Sequence, residues 1–522
     1  MTAADASVPT APRASAGRKR LIVTVCTMAA TLMQALDNTI ANVSLPHMQG
    51  SLSASADQIT WVLTAYIIAA AIMTAPVGWF TNRFGRKKFF IATLVGFTVT
   101  SALCGLAQSL PEMVLFRLLQ GGFGAALIPL SQTTMLDLYP PHQRGMAMAL
   151  WGMGVMVGPI LGPTLGGVLT DLYDWRWVFY VNLPFGILAT AGLLFFLDEQ
   201  PRNARLRFDW IGFAALGLAL GALQLMLDRG EGKDWFGSPE IIAEAVIGGF
   251  AFYLFAVHML TAEKPLLPPR MFRDRNFVGG LTMMLAMGLV MLSSAALLPP
   301  FLQNLGGLSV TQAGLLMAPR GFGTMAAMLI AGKLSSRVDP RLLMLFGIVL
   351  LIGTIGQMSF WTPAVSQNSI LVTTIIQGFG MGFVFIPLQV AAFATLPAEY
   401  RADATSLFSL MRNIGAAIGV SLSVAVLTRS ASIAHSQLAE TITPFNRLLQ
   451  SGTPGLILNP ALPIGLAAID GEITVQSQII GFMSAFRFMM LTSVPALFAL
   501  LLLRNAKPAA RSSGPPKAAA LD

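Results

Sequence analysis

Charge is what this sequence has least of. Asp, Glu, Lys and Arg make up 11% of the 522 residues, against 55% hydrophobic ones. A soluble domain needs a charged surface, so a water-soluble globule is excluded. Histidine and cysteine are also scarce, with four and two residues. His47, His142, His258 and His435 are scattered and form no H-x-x-x-H pair, so the clustered ligands of a membrane metalloenzyme are missing. No G-x-x-x-x-G-K-[ST] phosphate loop occurs, which argues against a nucleotide-driven pump. The ~10-residue alternating segments of an outer-membrane barrel are absent too. Neither a metal, another cofactor nor catalysis is expected.

What is present is a series of apolar runs of ~20 residues, the length that crosses ~30 Å of hydrocarbon. They fall near 21–44, 58–81, 89–108, 112–136, 145–169, 177–197, 209–228, 240–262, 277–303, 312–333, 341–361, 369–396, 403–428 and 480–503. The fold class expected is an all-α integral membrane protein of about fourteen helices. Placing both termini in the cytoplasm puts 24 of the 33 Lys and Arg residues in inward segments, five in outward loops and four inside spans. That bias follows the positive-inside rule, which a wrong span count would scramble. The net charge of +9 then reflects loops facing an anionic leaflet and calls for no nucleic acid. Cys26 and Cys104 fall near opposite faces, too far apart for a disulfide. The Ala/Pro/Ser-rich ends, 1–17 and 506–522, read as disordered.

The second half echoes the first at an offset of 257 residues, with Arg144, Leu150, Gly158 and Gly162 matched by Arg401, Leu407, Gly415 and Gly419. Gly122, Gly124, Pro129 and Leu130 are echoed by Gly380, Gly382, Pro387 and Leu388. Parallel repeats of this kind imply two six-helix halves around a central cavity. The expected organisation is a cytoplasmic tail (1–20), a first half (21–197), an inserted helix pair with its flanking loops (198–276), a second half (277–503) and a second tail (504–522).

Four constellations carry chemistry. Asp37, in span one, is a carboxylate where insertion costs ~2.5–3.5 kcal/mol. Arg117, in span four, lies at a similar depth, ~8–10 Å below the outer surface at ~1.5 Å per residue. An ion pair between them would keep Asp37 ionised until a proton or ligand competes. The repeat position opposite Arg117 is Ile375 or Thr374, so one half alone carries the charge. Span five has Gly154, Gly158, Gly162 and Gly166 at a spacing of four, followed by Gly167, with Pro159 and Pro163 at the same spacing. Such a stripe admits a closely packed helix, and the prolines permit bending. The loop with Gly78, Asn82, Arg83, Gly85 and Arg86 reads as a structured basic turn, weakly echoed from Gly332 to Arg341. Met283, Met287 and Met291 share a face of span nine and could line a permissive cavity or simply pack. Arg320 and Arg412 are in-span cations that could select anions there.

Together these motifs resemble the major facilitator superfamily, and within it the fourteen-span drug:proton antiporter branch of the EmrB and QacA type. The Gly158-Pro159 to Gly166-Gly167 stretch is similar to its antiporter motif, and the run from Trp175 through Asn182 and Pro184 to Gly186 to a hallmark of the branch. Leu227-Asp228-Arg229-Gly230 and Phe272 to Phe277 bring it nearer the EmrB type. The family loop usually has Asp where this chain has Asn82. The resemblance implies proton-driven export of hydrophobic and amphipathic compounds across the inner membrane, with Asp37 and Arg117 as coupling residues. It also implies a periplasmic adaptor and an outer-membrane channel as partners. An exporter dedicated to one metabolite or siderophore, or a channel or receptor, are the alternatives. The outward segment 429–479 is the longest between spans, with helix-like apolar spacing from His435 to Leu449 interrupted by Pro444, then an apolar, proline-punctuated part from Pro454 to Pro463. It is expected either to dock the adaptor or to fold over the outer mouth.

Overall fold

The computed structural model describes residues 13–200, 206–335, 337–442 and 462–503. Among them it has helices and no strand. Hydrocarbon offers no hydrogen-bond partners, so an apolar chain satisfies its backbone within each crossing, and the helix does this alone. Thirteen helices are long and apolar enough to cross a membrane, and fourteen once one bent pair counts as a single span. In order they are α1 (Arg13–Ser51), α2 (Trp61–Thr74 with Val77–Phe84), α3 (Arg86–Leu106), α4 (Leu110–Gly124 with Leu127–Leu138), α5 (Arg144–Leu172) and α6 (Asn182–Phe196). Then come α7 (Trp210–Arg229), α8 (Pro239–Thr261), α9 (Arg275–Pro300), α10 (Val310–Leu334), α11 (Pro340–Met358), α12 (Gln367–Ala394), α13 (Arg401–Glu440) and α14 (Pro463–Ser493).

The bends follow from proline. α2 turns by 56° at Ala75-Pro76, where the ring removes a backbone donor. The break in α4 lies at Ala125-Ala126, one turn before Pro129, whose ring displaces the carbonyl four residues back. Gly85, between α2 and α3, has φ +91°, a conformation open to glycine and costly for other residues.

Two expectations change. α1 begins at Arg13, so helix enters the stretch read as a disordered tail; the rest of the two tails lies outside the described residues. The segment 429–479, read as a loop, is helical at both ends: α13 runs on to Glu440 and α14 starts at Pro463. At ~1.5 Å per residue α13 is ~60 Å long, about twice the hydrocarbon thickness. The proline-punctuated stretch falls in 443–461, outside the described residues.

The inserted pair is peripheral. In its most apolar window α8 is 17% buried, whereas α12 is 67% buried. α7 touches both halves, through the Thr64 hydroxyl on Asp228 and the Ser421 hydroxyl on the Leu227 carbonyl at 2.7 Å. Arg229 then ties α7 to α8 through Glu240 at 2.7 Å and Glu244 at 3.2 Å.

At the ends of the helices that carry the basic loops, here the basic face, the halves close on each other. Gln132 donates to Gln389 at 2.8 Å, and the hydroxyls of Thr133 and Thr405 are 2.8 Å apart. Asp137 accepts from Arg86 on its own half and from Arg401 on the other. Above this seam Trp151 stacks on Phe385 with centroids 6.1 Å apart.

Candidate functional site

Asp37 is fully buried, and so is every side chain that holds it. Its Oδ2 accepts from Arg117 Nη1 at 2.7 Å. Its Oδ1 accepts from Gln120 Nε2 at 2.9 Å and Asn182 Nδ2 at 3.3 Å. Arg117 also donates to Gln120 Oε1 at 2.9 Å and, through Nε, to the Val62 carbonyl at 3.2 Å. Its guanidinium lies 4.2 Å from the Tyr66 ring centroid and 5.7 Å from that of Phe179. Behind Asn182, Ser101 Oγ accepts at 3.1 Å and itself donates to the Phe179 carbonyl at 2.8 Å. Cys104 donates to Gln120 Oε1 at 3.4 Å.

Removing two charges from water costs several kcal/mol per ion, which mutual attraction offsets only when the remaining polar atoms are also bonded. Here the amides of Gln120 and Asn182 supply those bonds, drawing α4 and α6 onto the carboxylate of α1, while the Val62 carbonyl of α2 holds Arg117.

The glycine stripe of α5 lies against this same turn of α1. A Cβ on Gly158 would sit 2.5 Å from Ala35, and one on Gly162 would sit 2.0 Å from Thr39 Oγ1. Thr39 also bonds the Gly158 carbonyl at 3.3 Å. Gly154 has looser neighbours, at 3.6 Å and beyond, and Gly167 has none within 4 Å. Gly166 is buried. Pro159 and Pro163 lie on α5, with side chains outside the described residues. The bare surface of α5 thus sets how closely α1, and Asp37 with it, can approach.

The second half repeats the packing and omits the charge. Gly415 rests on the Leu285 carbonyl and Gly419 on that of Leu289, so α9 meets α13 as α1 meets α5. Gly378 rests on the Arg320 carbonyl as Gly121 rests on that of Tyr66. That register sets Thr374 opposite Arg117, Gln377 opposite Gln120, Arg320 opposite Tyr66 and Met287 opposite Asp37. Arg320 and Arg412 lie deep in this half, yet each retains accessible surface, and neither has an ion-pair partner among the described residues. Arg320 donates to the Met291 carbonyl at 3.4 Å.

Residues 27–420 match the family profile of the Major Facilitator Superfamily. The multidrug export protein EmrB of Escherichia coli (strain K12) is 36% identical over 432 residues, covering 82% of this chain and 84% of EmrB. The chain belongs to the major facilitator superfamily. The fatty acid resistance protein FarB of Neisseria gonorrhoeae is 34% identical over 463 residues, covering 88% and 91% of the two chains. The crystal structure of the human organic anion transporter MFSD10 (TETRAN) shares the fold, with a TM-score of 0.58 at 14% identity over 93% of this chain and 99% of that one.

Within this major facilitator fold the other sequence candidates separate. The stretch read as a basic turn is mostly helix, Gly78, Asn82 and Arg83 lying in the second segment of α2 with Gly85 as the turn proper. It sits at the basic-face seam: a Cβ on Gly78 would lie 1.6 Å from Asp403 Oδ1, and one on Gly85 would lie 2.3 Å from Glu199 Oε1. Arg86 is engaged with Asp137, Arg83 has a buried Nη1 without a hydrogen bond, and Asn82 is half-buried. The methionine face needs correction. Met283 and Met287 are sealed into the hydrophobic core, at 0% and 5% exposure, and only Met291 keeps accessible surface.

Sequence reasoning did not find Asp137, Asp403 or the amide partners of Asp37. Asp137 closes an apolar run and was separable from its loop only by one residue. Asn182 stands within the Trp175–Gly186 run and Gln120 three residues after Arg117, but an amide announces no partner.

Proposed function

We propose that this chain is a proton-driven multidrug exporter of hydrophobic and amphipathic compounds in the inner membrane, with Asp37 as its proton-exchanging carboxylate. The observation that carries this reading is the sealed cluster of Asp37, Arg117, Gln120 and Asn182. A buried charge is retained inside a membrane at a cost, and marks a proton or substrate path by default. The relatives named for multidrug export and fatty acid resistance support the substrate class. Arg117 acts as the counter-ion that a proton displaces, and α5 as the close-packed neighbour through which α1 moves relative to the second half. A proton moving down the gradient supplies ~2.3 kcal/mol per 100 mV, enough to drive uphill export when binding and release alternate.

In this reading the basic face is cytoplasmic and holds both termini. The opposite ends of α13 and α14 extend into the periplasm, where exposed Ile433, Leu462, Ile464 and Leu466 suit a periplasmic adaptor that leads to an outer-membrane channel. Purified protein in proteoliposomes with an imposed pH gradient tests the core of the proposal. Asp37→Asn keeps the shape and removes the titration, so substrate binding persists and gradient-driven transport is lost. Normal pH-dependent transport by Asp37→Asn would place coupling elsewhere.

A further inference from the structure

The basic-face seam contains a carboxylate that the mechanism above does not use. Asp403, in the first turn of α13, is 5% exposed and makes no hydrogen bond or ion pair among the described residues. It belongs to the second half, and its carboxyl group lies directly on the backbone of Gly78 in the first half, with Asp403 Cα only 2.8 Å from where a Gly78 Cβ would stand. Glycine at 78 is therefore what lets this side chain enter the seam.

The neighbouring elements carry charges that face the same seam but are committed elsewhere. Arg86 of α3 and Arg401 of α13 both bind Asp137 of α4. Arg144 of α5 donates to the Leu136 carbonyl at 3.1 Å. Arg83 lies on α2, one turn past Gly78, and Glu399 is exposed ahead of α13. None of them bonds Asp403. The repeat-related contact shows that the fold does not need a carboxyl here. There Gly332 of α10 packs on Gly145 of α5, where a Cβ on Gly332 would lie 2.8 Å from the Gly145 carbonyl oxygen, and the residue opposite Asp403 is Met146.

An unpaired carboxylate in so enclosed a contact is costly to keep ionised, whereas a neutral carboxyl costs far less. We propose that Asp403 is a proton-sensitive latch on the basic-face gate, distinct from the Asp37 cluster. The carboxylate binds one proton from the aqueous phase on that side as the gate closes over it, and the carboxylic acid returns that proton as the gate opens. The closed state then holds one more proton than the open state. Acid on that side favours closure, and alkali favours opening, by up to about tenfold in the open-to-closed ratio per pH unit.

The test is a distance measurement between spin labels on Phe84→Cys and Glu399→Cys, in full-length protein lacking Cys26 and Cys104. In the parent, the open-distance population rises from about pH 5 to pH 9, the range a perturbed carboxyl can reach. In Asp403→Asn the pH dependence loses up to one proton's worth, about tenfold in the open-to-closed ratio per pH unit, while Asp37→Asn keeps that part of the response. Should Asp403→Asn fail to elute as a single species, Asp403→Ser takes its place with the same expectation. A pH response undiminished in Asp403→Asn, or one that vanishes in Asp37→Asn, overturns the proposal.

Discussion

The two halves of this transporter share a packing scheme and divide its charge. In the first, Arg117 crosses to Asp37, and two amides complete the set. In the second, the same helix contacts enclose Met287, Thr374 and Gln377, and the cation has moved to Arg320, which meets no carboxylate. Between Arg275 and Ala394 the one carboxylate is Asp339, at the start of α11. Gln377 keeps the position of Gln120 without its partners, and its Oε1 is buried and unbonded. A half can evidently fold without the ion pair. The pair is therefore particular to the first half, and the second half holds two guanidiniums, Arg320 and Arg412, with no ion-pair partner among the described residues.

The largest expected effect sharpens that contrast. Arg117→Leu strands Asp37 and should cost ~3–5 kcal/mol, as breaking buried pairs does, whereas Thr374→Val removes an uncharged hydroxyl that donates within its own helix and, at 3.4 Å, to the Leu316 carbonyl of α10, and should cost ~1 kcal/mol. Chemical unfolding in detergent separates the two, and equal losses would erase the distinction between halves. Next in size, Gly158→Leu and Gly415→Leu should each overpack a helix contact by ~1–3 kcal/mol. Gly167→Ala, with open space around it, should stay within ~0.5 kcal/mol. A large Gly167 effect would show that the stripe faces a neighbour on both sides. Arg412→Gln orphans no partner, so stability should hold while anionic substrates bind roughly tenfold or more weakly and neutral ones do not change, a charge-assisted bond being worth ~1.5–3 kcal/mol. Equilibrium binding with a matched acid and amide measures it. The smallest effect is at Gln377→Leu, expected to be neutral or slightly stabilising because it removes an unsatisfied amide, while Gln120→Leu destabilises.

Much of this was legible because bilayer chemistry leaves few options. Fourteen apolar runs predicted the crossings, since hydrocarbon thickness sets their length. Asp37 and Arg117 stood out because ionised groups are rare at that depth. The extension of α13 was legible only in part: past residue 428 the membrane-spanning signal fades, yet helix-like spacing continues from His435, and Ala, Ser, Gln, Leu and Glu sustain a helix in water. The methionine stripe stayed open between cavity and core because one face of a helix can look the same whether it meets ligand or core; Met283 and Met287 pack in the core. Asp403 was hidden by its address, two residues from Arg401, where a charge reads as part of a basic loop. Only the approach of Gly78 from the other half reveals it as buried.

The bond between Gln132 and Gln389 joins residues 257 positions apart, the interval that separates Gly121 from Gly378. Each glutamine is touching its own counterpart. That is the arrangement found on the two-fold axis of a homodimer, where a residue meets its own copy. Because an amide must donate on one side and accept on the other, even this contact cannot be fully symmetric. A seam built in this way should re-form between separate polypeptides, so the two halves expressed as independent chains, divided within 198–209, are expected to assemble into one transporter.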